Sequence, residues 1–283
     1  MPRWTTYEDS RPSKRRVVIH PHQRGDDEET YAVFAAWDFG SSKKENLERL
    51  RSENFIGVRT AARLRDFIFV LNRRFDPSDR DRALVLLAKS GCPIEEWKPI
   101  LLWHMTRDEF LFRDFLVNWL FPAFTSGTYR VRPEDLYAHI RSVALRGGMI
   151  EHVWSETTLN RVAAALLKMS VDFGLLRGSA VKEFAGYHLP ERSFLYIVYV
   201  LREHTQSPRK VLASEEWRMF LISPSDVERE LLRLHQFLYA AVRNSATEAA
   251  PYWRCGRRKT RPVVRLVPLG IGQDVCRGSL RRR

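Results

Sequence analysis

The chain is short of cysteine, of strand-like alternation and of long apolar runs, and each shortage excludes something. Three cysteines, Cys92, Cys255 and Cys276, stand in 283 residues without CxxC spacing. They offer no disulfide framework, which points to a reducing, cytoplasmic setting. The most apolar stretch, "FLFRDFLVNWLFPAF" from Phe110 to Phe124, is broken by Arg113, Asp114 and Asn118. It falls short of the ~20 residues a membrane span needs, so no membrane partner is expected. "MPRWTTYEDS" at the start lacks the apolar segment of a signal peptide. No GxxxxGK[ST] phosphate loop occurs, and "LGIGQD" has no strand–turn–helix frame around it. His20 and His22 find no second cluster to complete a metal site. No catalytic constellation emerges, so the expectation is a non-enzymatic protein without a cofactor.

What is present is positive charge, unevenly placed. The formal net charge is +13, which suggests a polyanionic partner. Residues 1–24 hold six Lys/Arg against two Asp/Glu, and residues 251–283 hold ten against Asp274 alone. The body between them carries 31 of each sign and is neutral. A basic surface on the body must therefore come from segregation of charge.

Periodicity makes that body all-α. Residues 1–27 read as a basic mobile arm, and helical patterns follow. Ala61, Leu64, Ile68, Leu71 and Phe75 step by three and four, as a buried stripe does. Asp76 is a candidate cap, and Gly91 and Gly174 suit left-handed helix stops. Leu159, Val162, Leu166, Met169 and Phe173 stripe another helix. His104, in an apolar helix, reads as a hydrogen-bonded core histidine. The irregular "GSAVKEFAGYHLP" suggests a junction, giving an N-terminal helical domain over 28–186. Three helical patterns after it give a smaller helix-turn-helix-like module over 187–250. The tail, 251–283, has two cysteines, little acid and no helical period. It reads either as the product of a frameshift near residue 240 or as a native basic tail.

Two places segregate basic charge. In "NFIGVRTAARLRDFIFVLNRRF", Arg59 and Arg63 stack four apart, and Arg73 and Arg74 return near that face. Phosphate contacts there would give salt-sensitive affinity with little sequence preference. The competing reading has these arginines snorkelling over the core edge and pairing with "DPSDRD". In the later module, Arg229 and Arg233 lie opposite the leucine stripe, although Asp226 and Glu228 crowd the helix start. Arg209 and Lys210 are alternative phosphate contacts.

The stretches "ENFIGVRTAARLRDFIFVLNRRF", "WKPILLWHMTRDEFLFRDFLVNWLFPAFTSGTYRVRPEDLYAHI", "SETTLNRVAAALLKMSVDFGLL" and "WRMFLISPSDVERELLRL" together resemble the BrxA family. These are accessory proteins of bacteriophage-exclusion (BREX) defence systems. The resemblance implies an all-helical, cytoplasmic, non-catalytic protein with a core similar to that of NusB. It implies double-stranded DNA and other BREX proteins as partners. It also implies a hairpin-like end after about Leu238, where this chain has its basic tail. An RNA-binding factor of the NusB kind and a scaffold that binds other defence proteins are the alternatives.

Overall fold

Capping chemistry sets where many of the helices begin and end. The computed structural model describes residues 26–143, 154–205 and 207–248. Most of the expected N-terminal arm, the tail and its frameshift question lie outside them. The first helix, α1 (Asp26–Ala35), leads to α2 (Lys43–Glu53). Ser42 and Glu45 form a reciprocal capping box there, with Ser42 N–H donating to Glu45 Oε2 at 2.7 Å. Helix α2 ends at Asn54, which takes a left-handed φ of 44°. Asparagine tolerates that region, and its side chain bridges the next loop through both Val58 N and Val58 O.

Helix α3 (Ala61–Arg74) starts at Thr60, whose hydroxyl accepts from Arg63 N. Its buried face is Leu64, Phe67, Ile68, Leu71 and Arg74, and Phe75 is buried just beyond its end. Ala61 is exposed, so the expected stripe holds from Leu64 onward. Helix α4 (Arg82–Lys89) begins after Asp81, not after Asp76. The expected Asp76 cap fails because Asp81 is buried and its carboxylate accepts from Asp76 N at 2.7 Å, which ties the segment into a turn. Gly91 closes α4 as expected: its φ is +74°, and the N–H groups of Gly91 and Cys92 bond back to Ala88 and Leu87.

Helix α5 (Ile94–Thr106) is buried on nearly every side. Phe34, Phe75, Tyr31 and Trp97 meet edge to face around it, and Trp97 Nε1 donates to Leu84 O at 3.0 Å. His104 is the hydrogen-bonded core histidine that the sequence suggests. Its Nδ1 lies 2.6 Å from Asp81 Oδ1 and its Nε2 2.8 Å from Tyr196 OH.

Helix α6 (Phe110–Phe115) runs through a π turn (Leu116–Leu120) into α7 (Phe121–Thr125). Phe121 N–H bonds Leu116 O, five residues back. Pro122 explains this local widening. It has no N–H to give, and its ring would press on the carbonyl four residues earlier in a regular helix. Strand β1 (Arg130–Val131), a 3-10 turn (Pro133–Leu136) and α8 (Tyr137–Arg141) follow. Next come α9 (Glu156–Asp172), β2 (Leu176–Arg177) and β3 (Lys182–Phe184). The strands form one antiparallel sheet of order β1-β3-β2. This sheet is absent from the all-helical expectation, and "GSAVKEF" is its hairpin and not an irregular junction.

Helix α10 (Glu191–His204) packs on α5, with Ser193 Oγ donating to Glu96 O at 2.5 Å. Helix α11 (Pro208–Leu212), a 3-10 turn (Glu215–Phe220) and α12 (Pro224–Glu248) complete the order. The chain divides into two compact units, Met1–Leu232 and Arg233–Arg283. The second of the three helical patterns expected after residue 187, "SPRKVLASEEWRMFL", is split into α11 and the 3-10 turn. Ser214 caps the 3-10 turn by accepting from Glu216 N, and Trp217 Nε1 donates to Val211 O at 2.7 Å. Leu221 ends the turn at φ 56°, a left-handed strain of roughly 1–2 kcal/mol in a residue that is itself buried.

Candidate nucleic-acid interface

The four arginines expected on the α3 face meet different fates. Arg59 is exposed, just ahead of the cap. Arg63 is half-buried and reaches Glu29 of α1 at 2.6 Å. Arg73 and Arg74 both bind Glu109, Arg74 through Nε at 2.8 Å. Arg74 is only 3% exposed, so it cannot contact a nucleic acid in this fold. A carboxylate shared by two guanidiniums, one of them buried, is a structural clamp between α3 and the turn before α6. This agrees with the pairing logic of the snorkelling reading, and the acids that take these arginines include Glu29 and Glu109, which lie outside "DPSDRD".

The later candidates are scattered. Arg209 and Lys210 are exposed on the five-residue α11. Arg229 is 77% exposed and pairs with Asp226 three residues back. Asp226 itself accepts from Ser223 N at 3.1 Å and Ser223 Oγ at 2.6 Å, which makes it the acidic half of the α12 cap. Arg233 is half-buried and opens the second compact unit.

Helix α9 presents a different surface. Thr157, Asn160, Arg161, Ala164 and Lys168 are exposed, while Leu159, Val162, Ala163, Leu166, Leu167 and Met169 are buried. At 3.6 residues per turn the exposed five fall within an arc of about 100°. Glu156 lies outside that arc, and Asp172, at the far end of the helix, is half-buried. Arg161 and Lys168 therefore share an outward face of α9, and the helix's two acids stand at its ends, Glu156 at the start and Asp172 one turn after Lys168.

The helix is firmly held at both ends. Ser155 caps it by accepting from Thr158 N. At the other end Gly174 has φ +75°, and the N–H groups of Gly174 and Leu175 bond to Val171 O and Ser170 O, both at 2.9 Å. This double bond pattern fixes the angle at which the chain leaves α9 for β2. Its buried side packs on the Pro133–Leu136 turn, α8 and β2. Helices α6 and α8 are joined in turn, His139 Nε2 lying 3.0 Å from Asp114 Oδ2 with both side chains buried. The β2–β3 turn needs glycine at 178. There φ is +103°, and a Cβ would meet Val181 O at 2.3 Å.

This surface escaped notice in the sequence because its polar residues look like the solvated back of an amphipathic helix. A search for the polar face, and not only the apolar one, finds five outward positions in register, two of them basic. The sheet leaves a fainter trace, since strands of two or three residues are too short to alternate.

Among the described residues no His/Cys/Asp/Glu group could hold a metal ion, and no helix is long and apolar enough to cross a membrane. Fold and surface together define a mostly helical protein with a small helix–strand unit that exposes a basic helix face. The chain belongs to the BrxA family, whose model matches residues 27–205. The match takes in the whole helix–strand unit and ends before "WRMFLISPSDVERELLRL". Membership suggests a BREX-associated protein. No curated protein and no solved structure matches the chain.

Proposed function

We propose that this protein is a non-catalytic, double-stranded-DNA-binding accessory of a BREX-type phage-defence system, and that residues 110–184 are its DNA-binding unit. The observation that supports this reading is the connectivity. Helix (α6 and α7), strand, helix, helix, strand, strand, with sheet order β1-β3-β2, is the arrangement of a winged helix. In that arrangement α9 enters the major groove and the Gly178–Val181 turn lies along the backbone. Arg161 and Lys168 meet phosphate or guanine, and Asn160 and Thr157 have the donors and acceptors to meet base edges. The helix-turn-helix role thus moves from 187–250 to a unit before it.

The test is a titration of the full chain with a mixed-sequence 30-base-pair duplex at several salt concentrations. Arg161→Glu together with Lys168→Glu should weaken binding roughly 10- to 100-fold near 0.1 M salt. It should also reduce the salt slope by about one unit for each phosphate that is no longer neutralised. Unchanged affinity and slope would remove α9 from the interface. Structured RNA outcompeting the duplex would favour the NusB-like alternative.

A protein-binding role alongside this one is favoured by α10, where Leu195 (45% exposed) and Tyr199 (58%) stand one turn apart. Other BREX proteins are the proposed partners for that face. Leu195→Glu should reduce copurification of such a partner and leave duplex binding intact.

A further inference from the structure

Every basic side chain of the small sheet is engaged within the protein. The register pairs Arg130 with Glu183 and Glu183 with Arg177. Directly paired residues share a face, so the three stand in a row on the side opposite buried Val131 and Leu176. Arg130 Nε lies 3.2 Å from Glu183 Oε1, and an Arg177 guanidinium nitrogen lies 3.7 Å from Oε2. The two arginines are 66% and 65% exposed, while Glu183 is 23% exposed. Lys182 folds back on the turn, its Nζ donating to Gly178 O at 3.0 Å and to Ser179 O.

We infer that Glu183 is a specificity-determining residue: it competes with phosphate for Arg130 and Arg177 and holds both away from the DNA backbone. This rests on the winged-helix reading above. Phosphate contacts add affinity but carry no sequence information. Two unmasked arginines beside the wing would tighten binding to any duplex and dilute whatever the α9 side chains read. One carboxylate centred between them prevents that. Being at the surface, the row contributes little to folding, so its charge can be altered while the fold is kept.

The experiment uses the full chain, the same mixed-sequence duplex and a salt series, with thermal melting to verify folding. Glu183→Gln should tighten binding about three- to ten-fold near 0.1 M salt. It should steepen the dependence of log K on log salt by one to two units, about 0.9 for each additional phosphate neutralised. Arg130→Gln with Arg177→Gln should change the native protein's affinity less than two-fold, yet abolish the tightening in the Glu183→Gln background. Glu183→Ala, which removes the same charge, is the second variant if Glu183→Gln melts early. Unchanged affinity and slope on removal of the carboxylate overturns the inference. So does an equal weakening from the arginine pair in both backgrounds. Arg161→Glu separates the two levels. If it binds as the native chain does, the winged-helix reading fails and this inference with it. If it weakens binding while Glu183→Gln changes nothing, only the role of Glu183 fails.

Discussion

Helix α3 and the residue run leading into it hold four candidate arginines, whereas α9 holds one arginine and one lysine, yet the two basic residues of α9 make the better candidate for meeting DNA. The difference lies in where each cation points. Arg63 is committed to Glu29, and Arg73 and Arg74 to Glu109. Arg161 and Lys168 are both exposed and share one outward arc of α9, whose acids Glu156 and Asp172 lie at the helix ends. Charge density along a sequence counts ions, but a binding surface depends on which of them face outward together. Three of the α3 arginines hold helices together, and the α9 pair lines one exposed face.

The comparison can be broken first at Glu109. If the α3 arginines are structural, removing their shared carboxylate should cost stability. Glu109→Ala leaves Arg74 buried without that partner and should destabilise the fold by about 3 kcal/mol. Denaturant unfolding checks this. A decrease under about 0.5 kcal/mol would mean that the arginines are not held inward by Glu109.

A second commitment lies deeper and responds to pH. Burial, helped by the Arg107 guanidinium, pushes His104 down from 6.5 to about 4, against the opposing pull of Asp81. Asp81 is raised by burial, but the His104 hydrogen bond and the charges of Arg107 and Arg80 outweigh this and hold it well below its ordinary range. His104 is therefore neutral in the fold and takes up a proton more readily when unfolded. The stability it contributes is complete above about pH 6.5 and is lost progressively as pH falls from 6.5 to about 4. The decrease is roughly 3 kcal/mol. Asp81, whose folded value is depressed, adds a further decrease below its unfolded value near 4. Unfolding free energies between pH 7 and 4 should show the first slope, and His104→Gln should flatten it. If that variant keeps the full slope, the titration belongs to another group.

Local chemistry made much of the helical frame legible. Gly91 and Gly174 end their helices at positive φ as expected, Ser223 and Pro224 open α12, and His104 is a bonded core histidine. The all-α class stands with one small sheet added. Distant pairings were not legible. Glu183 lies 53 residues from Arg130, and Glu109 lies 35 from Arg74. No local period announces such contacts, and they decide both the sheet and the fate of the α3 arginines. The helices after residue 187 depart from their sequence pattern for a related reason. Its pattern permits three free-standing helices, but Ser193 and Tyr196 bind α5, and Trp217 anchors a 3-10 turn where a longer helix was expected.

The smallest expected effect is the most pointed one. Arg59 and Arg65 are exposed α3-side arginines that take no part in the Glu29 and Glu109 pairings. If charge alone governed DNA binding, reversing both should weaken it as much as reversing Arg161 and Lys168, since each double change removes the same net charge. If the groove-facing helix is α9, Arg59→Glu with Arg65→Glu should act only through the general field, which salt screens over about 8–10 Å near 0.1–0.15 M. The expected change in duplex affinity is then less than about three-fold near 0.1 M salt, fading as salt rises, with no step in the salt slope. An effect equal to that of the α9 pair, with a slope reduced by one to two units, would return α3 to the interface and reverse the comparison.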